Sequence, residues 1–316
     1  MPTAHDRPVR FRSGGALAPV FCCALLASLL FSSACSRSSP DPGKTGGLRL
    51  VSTAPNLTEC VFAIGAGDCL VGRTESCDYP PEAARLPAVG GFGTPSLEPL
   101  LAVRPTHVLE TVLAEASVSR RLAELRIPVV HISCSRLQDI PGALQKLGAL
   151  TGHESRAKQL ADQIEAGLTA ARSAAAAQAD RPRVALLFAP DTPITAGRHA
   201  FISELLDLAG GDNIGSSSDI DYYHVSLEWL LQQNPDMILC LFDTPEKDLR
   251  ALFASQTGWK ALDAVRQGRV YSVPDLNTAS RPGPRVLDGL AQLKQVLLLD
   301  ARRNPPARAG DSRTNP

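Results

Sequence analysis

The chain has 316 residues, enough for two ordinary domains or one large one. It carries 32 Lys and Arg against 32 Asp and Glu, and this balance argues against a dedicated nucleic-acid binder, which would show a basic excess. Hydrophobic residues make up 44% and charged residues 20%, a globular composition that can form a sizeable core. Aromatic side chains are scarce (two Trp, four Tyr, nine Phe), so a cluster of them at a site would use much of the supply.

Residues 1–34 have the three-part layout of an export signal. Arg7, Arg10 and Arg12 are the positive start, residues 16–31 are an apolar run broken by Pro19, and Ser32, Ser33 and Ala34 are small residues before Cys35. The apolar run falls short of the ~20 residues of a membrane span. The small residue before Cys35 resembles the lipobox of bacterial lipoproteins and implies lipidation of Cys35. Ser32 stands where that pattern prefers Leu, so simple cleavage after Ala34 stays open. Residues 35–47 are polar and rich in Ser, Pro and Gly, as in a flexible tether. Removing 1–34 leaves 29 basic and 31 acidic residues, a net charge of −2. Besides Cys35 it leaves Cys60, Cys69, Cys77, Cys134 and Cys240. An odd number cannot all pair within one chain, although export permits disulfides. Mostly buried free thiols are expected, with room for one bridge. No Cys/His spacing points to zinc.

Short apolar strands then alternate with amphipathic helices. Strands are expected near 48–51, 106–109, 128–132, 183–188 and 237–241. A helix is expected over 56–65, with Asn56 placed to cap it and Glu59 three residues on. Such alternation implies α/β layers with mainly parallel sheets. Residues 154–179 contain no Pro and only Gly167, and Ala157, Leu160, Ala161, Ile164, Leu168 and Ala171 recur at helical spacing. The helix is either a long surface helix on one domain or a strut joining two lobes, and its position midway along the chain favours the strut. This divides the chain into a first lobe (48–152), a linking helix (153–180), a second lobe (181–300) and a polar tail (301–316) expected to be disordered.

An internal repeat supports two lobes of related topology. Residues 96–109 (SLEPLLAVRPTHVL) align without a gap to residues 226–239 (SLEWLLQQNPDMIL), an offset of 130. Ser96 and Ser226 can cap helices, Glu98 and Glu228 fall in first turns favoured by the helix dipole, and Pro105 and Pro235 end the helices and lead into strands.

With this layout the chain resembles the substrate-binding proteins of ABC importers that carry corrinoids, haem and ferric siderophores. The resemblance rests on VSTAPNLTE (51–59), IGAG (64–67), CDYPPEA (77–83), VGGFG (89–93), the two SLE segments, GGDNI (210–214) and RPGPR (281–285), in family order along nearly all of the mature chain. It implies two α/β lobes joined by one long rigid helix, with the ligand in the cleft between them. It also implies a monomer outside the cytoplasm, with no intrinsic cofactor and no catalytic or metal site. CDYPPEA, VGGFG and RPGPR most resemble the cobalamin-binding branch. The positions matching family ligand contacts are Asp78, Tyr79, Phe92, Phe188, Tyr222, Tyr223, Asn277 and Arg281. A corrinoid is a broad disc with methyl-rich faces and an amide-bearing rim, which aromatic rings and a few polar groups suit. Twelve aromatics remain after signal removal, and five of them fall in these loops. Each ring can instead pack on its own lobe, and for Tyr79 the two readings weigh equally. Glu98 and Glu228 match the family's docking residues, which would give a two-point electrostatic contact with the importer's membrane subunits.

Other classes fit less well. The six histidines form no HExxH, and no G-x-S-x-G or Gly-rich phosphate loop marks an enzyme. The same scatter argues against a zinc or manganese carrier. Haem or a ferric siderophore is the alternative ligand. Haem would want an axial Tyr or His, which 222–224 offer, and an anionic siderophore would want arginines such as Arg198, Arg281 and Arg285. Arg281 and Arg285 read equally well as structural.

Overall fold

The structure, a computed structural model, describes residues 47–111, 116–189 and 191–304. The expected signal, the tether up to residue 46 with Cys35, and the tail from residue 305 lie outside the described residues.

Two four-stranded parallel sheets organise the chain. The first holds β1 (Leu50–Ser52), β2 (Leu70–Arg73), β5 (His107–Glu110) and β6 (Val129–His131) in the order β2-β1-β5-β6. The second holds β7 (Arg183–Leu187), β9 (Asp212–Asn213), β11 (Met237–Cys240) and β12 (Val270–Ser272) in the order β9-β7-β11-β12. The two orders are the same when read by position in each lobe. Two antiparallel ribbons are added: β3 (Gly90–Gly91) with β4 (Thr94–Pro95), and β8 (Ile194–Ala196) with β10 (Tyr222–His224). The central strands are buried along their length, as befits parallel strands covered on both faces.

Helices α1 (Pro55–Ala63), α2 (Leu97–Ala102), α3 (Ala116–Glu124) and α4 (Asp139–Thr151) belong to the first lobe. The second lobe has α6 (Phe201–Ala209), α7 (Leu227–Gln233), α8 (Glu246–Ser255), α9 (Asp263–Arg266), α10 (Leu276–Ser280) and α11 (Val286–Arg303). Between them runs α5 (Glu154–Ala176), 23 residues and about 34 Å long at ~1.5 Å per residue. Its buried residues, Ala157, Ala161, Ile164, Leu168, Ala171 and Ala175, step alternately by four and three and form one stripe. This stripe packs on α4 of the first lobe and on α6 and α11 of the second. The helix therefore joins the two lobes, packed as a brace against both. Gly148 on α4 allows the close approach, since a Cβ there would lie 2.5 Å from the Ala157 Cβ. One buried cluster runs through both lobes by way of Ile164 and Leu168. Each sheet carries a second cluster on its other face, around Val51, Leu100 and Val108 in one lobe and Leu187, Leu230 and Ile238 in the other.

The sequence repeat becomes α2 with β5 and α7 with β11. Arg104 (φ 47°) and Asn234 (φ 40°), also 130 residues apart, both take the left-handed conformation that turns each helix into its strand. The caps differ. Ser226 Oγ accepts from Trp229 N–H at 3.1 Å, whereas Ser96 makes no side-chain cap bond. Pro99 occupies the position of Trp229 and has no N–H to donate.

Two further expectations are corrected. Asn56 does not cap α1; Ala54 is its N-cap and Pro55 begins it, Pro being suited to a first helical position. The segment from residue 301 starts as helix rather than as disordered chain, because α11 continues to Arg303. Asp300 anchors that last turn, receiving Arg269 at 2.9 and 2.7 Å and the Tyr271 hydroxyl at 2.9 Å.

Candidate ligand cleft

The polar contacts between lobes come from segments that follow the carboxyl ends of strands, where open α/β sheets bind ligands. On one side, Glu59 of α1 is 3% exposed and meets two arginines from the segment after β12. Arg285 donates a fork to it, Nε to Oε2 at 2.8 Å and Nη2 to Oε1 at 2.7 Å. Arg281 Nη1 donates to Oε1 at 3.2 Å. Arg281 also reaches Asp78 at 2.5 Å, and Asn277 donates to Asp78 Oδ2 at 3.0 Å. Asn56 Nδ2 donates to Cys134 O and to Pro282 O, both at 3.0 Å, which is the role that replaces capping.

A reciprocal crossing is made from the first lobe. Arg136, in the segment after β6, donates to His199 O, lies 3.7 Å from Glu204 of α6, and reaches Asp221 at 3.4 Å. Glu204 also accepts from Leu137 N–H at 3.1 Å. In each direction an arginine after the edge strand crosses to a glutamate on the helix that follows the lobe's first strand. This second crossing is more open to solvent than the Glu59 cluster.

The aromatic side chains divide into two groups. Among the described residues three aromatic rings are exposed: Tyr79 (43%), Phe92 (44%) and Tyr222 (49%). Phe92 stands at the tip of the β3–β4 hairpin with Gly93. Gly90 permits that hairpin, because its φ is +119° and a Cβ there would sit 2.7 Å from Ser96 N. Tyr79 lies beneath the Arg285 guanidinium, whose Cζ is 3.9 Å from the ring centroid. Tyr222 packs edge-on against Phe188 with centroids 5.2 Å apart. Tyr223 points to the other side of its strand and serves its own lobe: its hydroxyl donates to Gly215 O at 2.9 Å and its ring meets Trp229.

Asp78, Asn277 and Arg281 are thus brought together as partners of one another, with Glu59 and Arg285. Sequence reading had offered Glu59 only a place near the helix start. An acidic residue midway along α1 and two arginines four apart after β12 were the available signals, but their pairing needs the fold. Burial pushes the Asp78 carboxyl up, and the Arg281 hydrogen bond and charge outweigh this and hold it below the ordinary aspartate range. Burial and the Asp221 charge push the Tyr222 hydroxyl up, away from the phenolate. Glu98 and Glu228 are both exposed at the starts of α2 and α7. The Ser226 hydroxyl and the backbone hold the Glu228 carboxyl below its ordinary value. Cys60, Cys69, Cys77, Cys134 and Cys240 are all buried free thiols, so the room left for one bridge is not used. A separate cavity of about 750 Å³, lined by Arg181, Arg269, Lys294 and Leu297, lies between α5 and α11, away from the exposed rings.

Two lobes of like topology that meet at the carboxyl ends of their strands define a binding-protein architecture. The chain belongs to the periplasmic binding protein family, whose model matches residues 50–276. It is 30% identical over 249 residues to a vitamin B12-binding protein of Pectobacterium carotovorum, covering 78% of this chain and 86% of the relative. It is 26% identical over 260 residues to an uncharacterised ABC transporter substrate-binding lipoprotein of Bacillus subtilis, covering 80% of each. A solved periplasmic haem-binding protein from Pseudomonas aeruginosa superposes with a TM-score of 0.70 at 26% identity, covering 79% of this chain and 92% of that one. The protein is a periplasmic-type substrate-binding protein. Relatives of this kind are named for the small ligands they bind, vitamin B12 among them.

Proposed function

We propose that the protein carries cobalamin or a related corrinoid outside the cytoplasm and delivers it to an ABC importer. The supporting observation is the combination of exposed aromatic rings with neutralised arginines. Tyr79, Phe92 and Tyr222 offer flat apolar surface to a disc-shaped ligand. Meanwhile Arg136, Arg198, Arg281 and Arg285 are each engaged by carboxylates. Haem propionates or an anionic siderophore need free cations, whereas a corrinoid's amide rim does not. Glu98 and Glu228 dock to the importer, and Cys35, after cleavage behind Ala34, carries the lipid anchor.

The likeness to a haem-binding protein keeps haem as the second reading. Calorimetric titration of the mature protein with cyanocobalamin, haemin and a ferric siderophore decides between them. Micromolar or tighter binding of cyanocobalamin is expected, and binding of haemin alone replaces the corrinoid reading with the haem one.

A further inference from the structure

We propose that Glu59 is the positioning residue of the cleft, fixing Tyr79 and the lobe spacing before ligand arrives; this rests on the corrinoid reading. Glu59 is on α1 of the first lobe. Its two carboxylate oxygens receive three hydrogen bonds from Arg281 and Arg285 of the second lobe. The fork from Arg285 fixes the plane of the guanidinium, because both Nε and Nη2 are held. That plane covers one face of Tyr79. One face of the phenol ring is thereby occupied and its orientation set, while the ring stays 43% exposed for a ligand.

Arg281 extends the same cluster to the loop that bears Tyr79. It donates to Ser76 O at 3.3 Å and to Asp78 at 2.5 Å, and Asn277 holds the other Asp78 oxygen. Residues 76–79 are therefore clamped by second-lobe side chains, and two of these, Arg281 and Arg285, converge on one buried first-lobe carboxylate. Pre-ordering of this kind lowers the entropy lost on binding, so its removal weakens affinity without removing any ligand contact.

Glu59→Gln keeps the side chain's size and removes its charge. In the ligand-free protein, hydrogen exchange of the residue 76–79 amides should become faster, a readout independent of ligand identity. The dissociation constant for cyanocobalamin should rise about tenfold, the scale of losing one oriented aromatic contact. A double-mutant cycle with Tyr79→Leu should be non-additive, the second change costing little once the first is made. Additive losses, or unchanged exchange at 76–79 with only a lower Tm, would overturn the proposal. Should Glu59→Gln not fold, Arg285→Lys, which keeps charge but loses the fork and the stacking plane, goes through the same cycle with the same criteria. A wild-type protein that binds no cyanocobalamin defeats the corrinoid reading, and the exchange experiment then judges Glu59 alone.

Discussion

Glu59 is a carboxylate taken almost wholly out of water, and its cost is offset only while both arginines remain. Buried ion clusters of this type add little net stability against an apolar replacement, yet losing one partner typically costs about 3–5 kcal/mol. Arg285→Met alone should therefore lower stability by about that amount in urea denaturation, with Arg281 left as the sole partner of a buried charge. Acid should loosen the same cluster. Asp78 and Asp275 both have depressed carboxyl values, burial opposing and hydrogen bonds to Arg281 and Thr278 respectively prevailing. A group depressed on folding contributes fully above its unfolded value, about 3.9 for Asp, and the contribution is lost as pH falls through the folded value. Thermal scans from pH 6 down should show a stable plateau that falls away below about pH 4, and the fall should be shallower in Asp78→Asn. The five buried thiols make a third expectation at this scale. Burial raises Cys69 and Cys240, and a hydrogen bond to Cys134 followed by burial raises Cys60. Iodoacetamide at pH 8 should leave native protein unlabelled and alkylate all five positions after unfolding; fast native labelling would contradict the burial.

At the scale of elements, much of the fold was legible. The strands at 106–109, 183–188 and 237–241 appear within one residue as β5, β7 and β11, since apolar runs of four to six residues between turn residues are too short for a helix. The Ala-rich stripe of α5 was equally plain. What the sequence did not disclose is where a polar side chain finds its partner. Asn56 sat where a cap belongs, and its amide instead reaches 78 residues on to Cys134 and 226 residues on to Pro282. Conversely, the missing Ser96 cap could have been read directly, because Pro99 cannot donate where Trp229 does. The two caps predict unequal responses: Ser226→Ala should cost about 1 kcal/mol, and Ser96→Ala much less, in paired denaturation curves. Gly148 gives a sharper packing test. Gly148→Val would drive a side chain into Ala157 and part α4 from α5, at a cost of ~1–3 kcal/mol.

For the whole molecule, the equal strand order of the two lobes places Glu98 and Glu228 at the same station in each. A two-point dock follows if both are used. Glu98→Ala with Glu228→Ala should leave ligand affinity unchanged and abolish uptake in cells; normal uptake would remove the docking role. The brace and the two arginine crossings together oppose hinge bending. Small-angle scattering should change little between free and ligand-bound protein, and a marked contraction on binding would contradict that. Of the candidate site, the exposed rings were foreseeable from loop positions, while Tyr223, one residue from Tyr222, turns inward because successive strand residues face opposite ways.

The chain passes from one lobe to the other once, along α5, and every strand of the first sheet precedes it. A chain made from its N-terminus can therefore complete its first sheet without waiting for any later strand. Among the contacts that must wait is the one at Glu59, whose partners lie 222 and 226 residues further on. Until they arrive the carboxylate keeps its water. Its closure by Arg281 and Arg285 requires the last third of the chain and joins the lobes across the sheet ends.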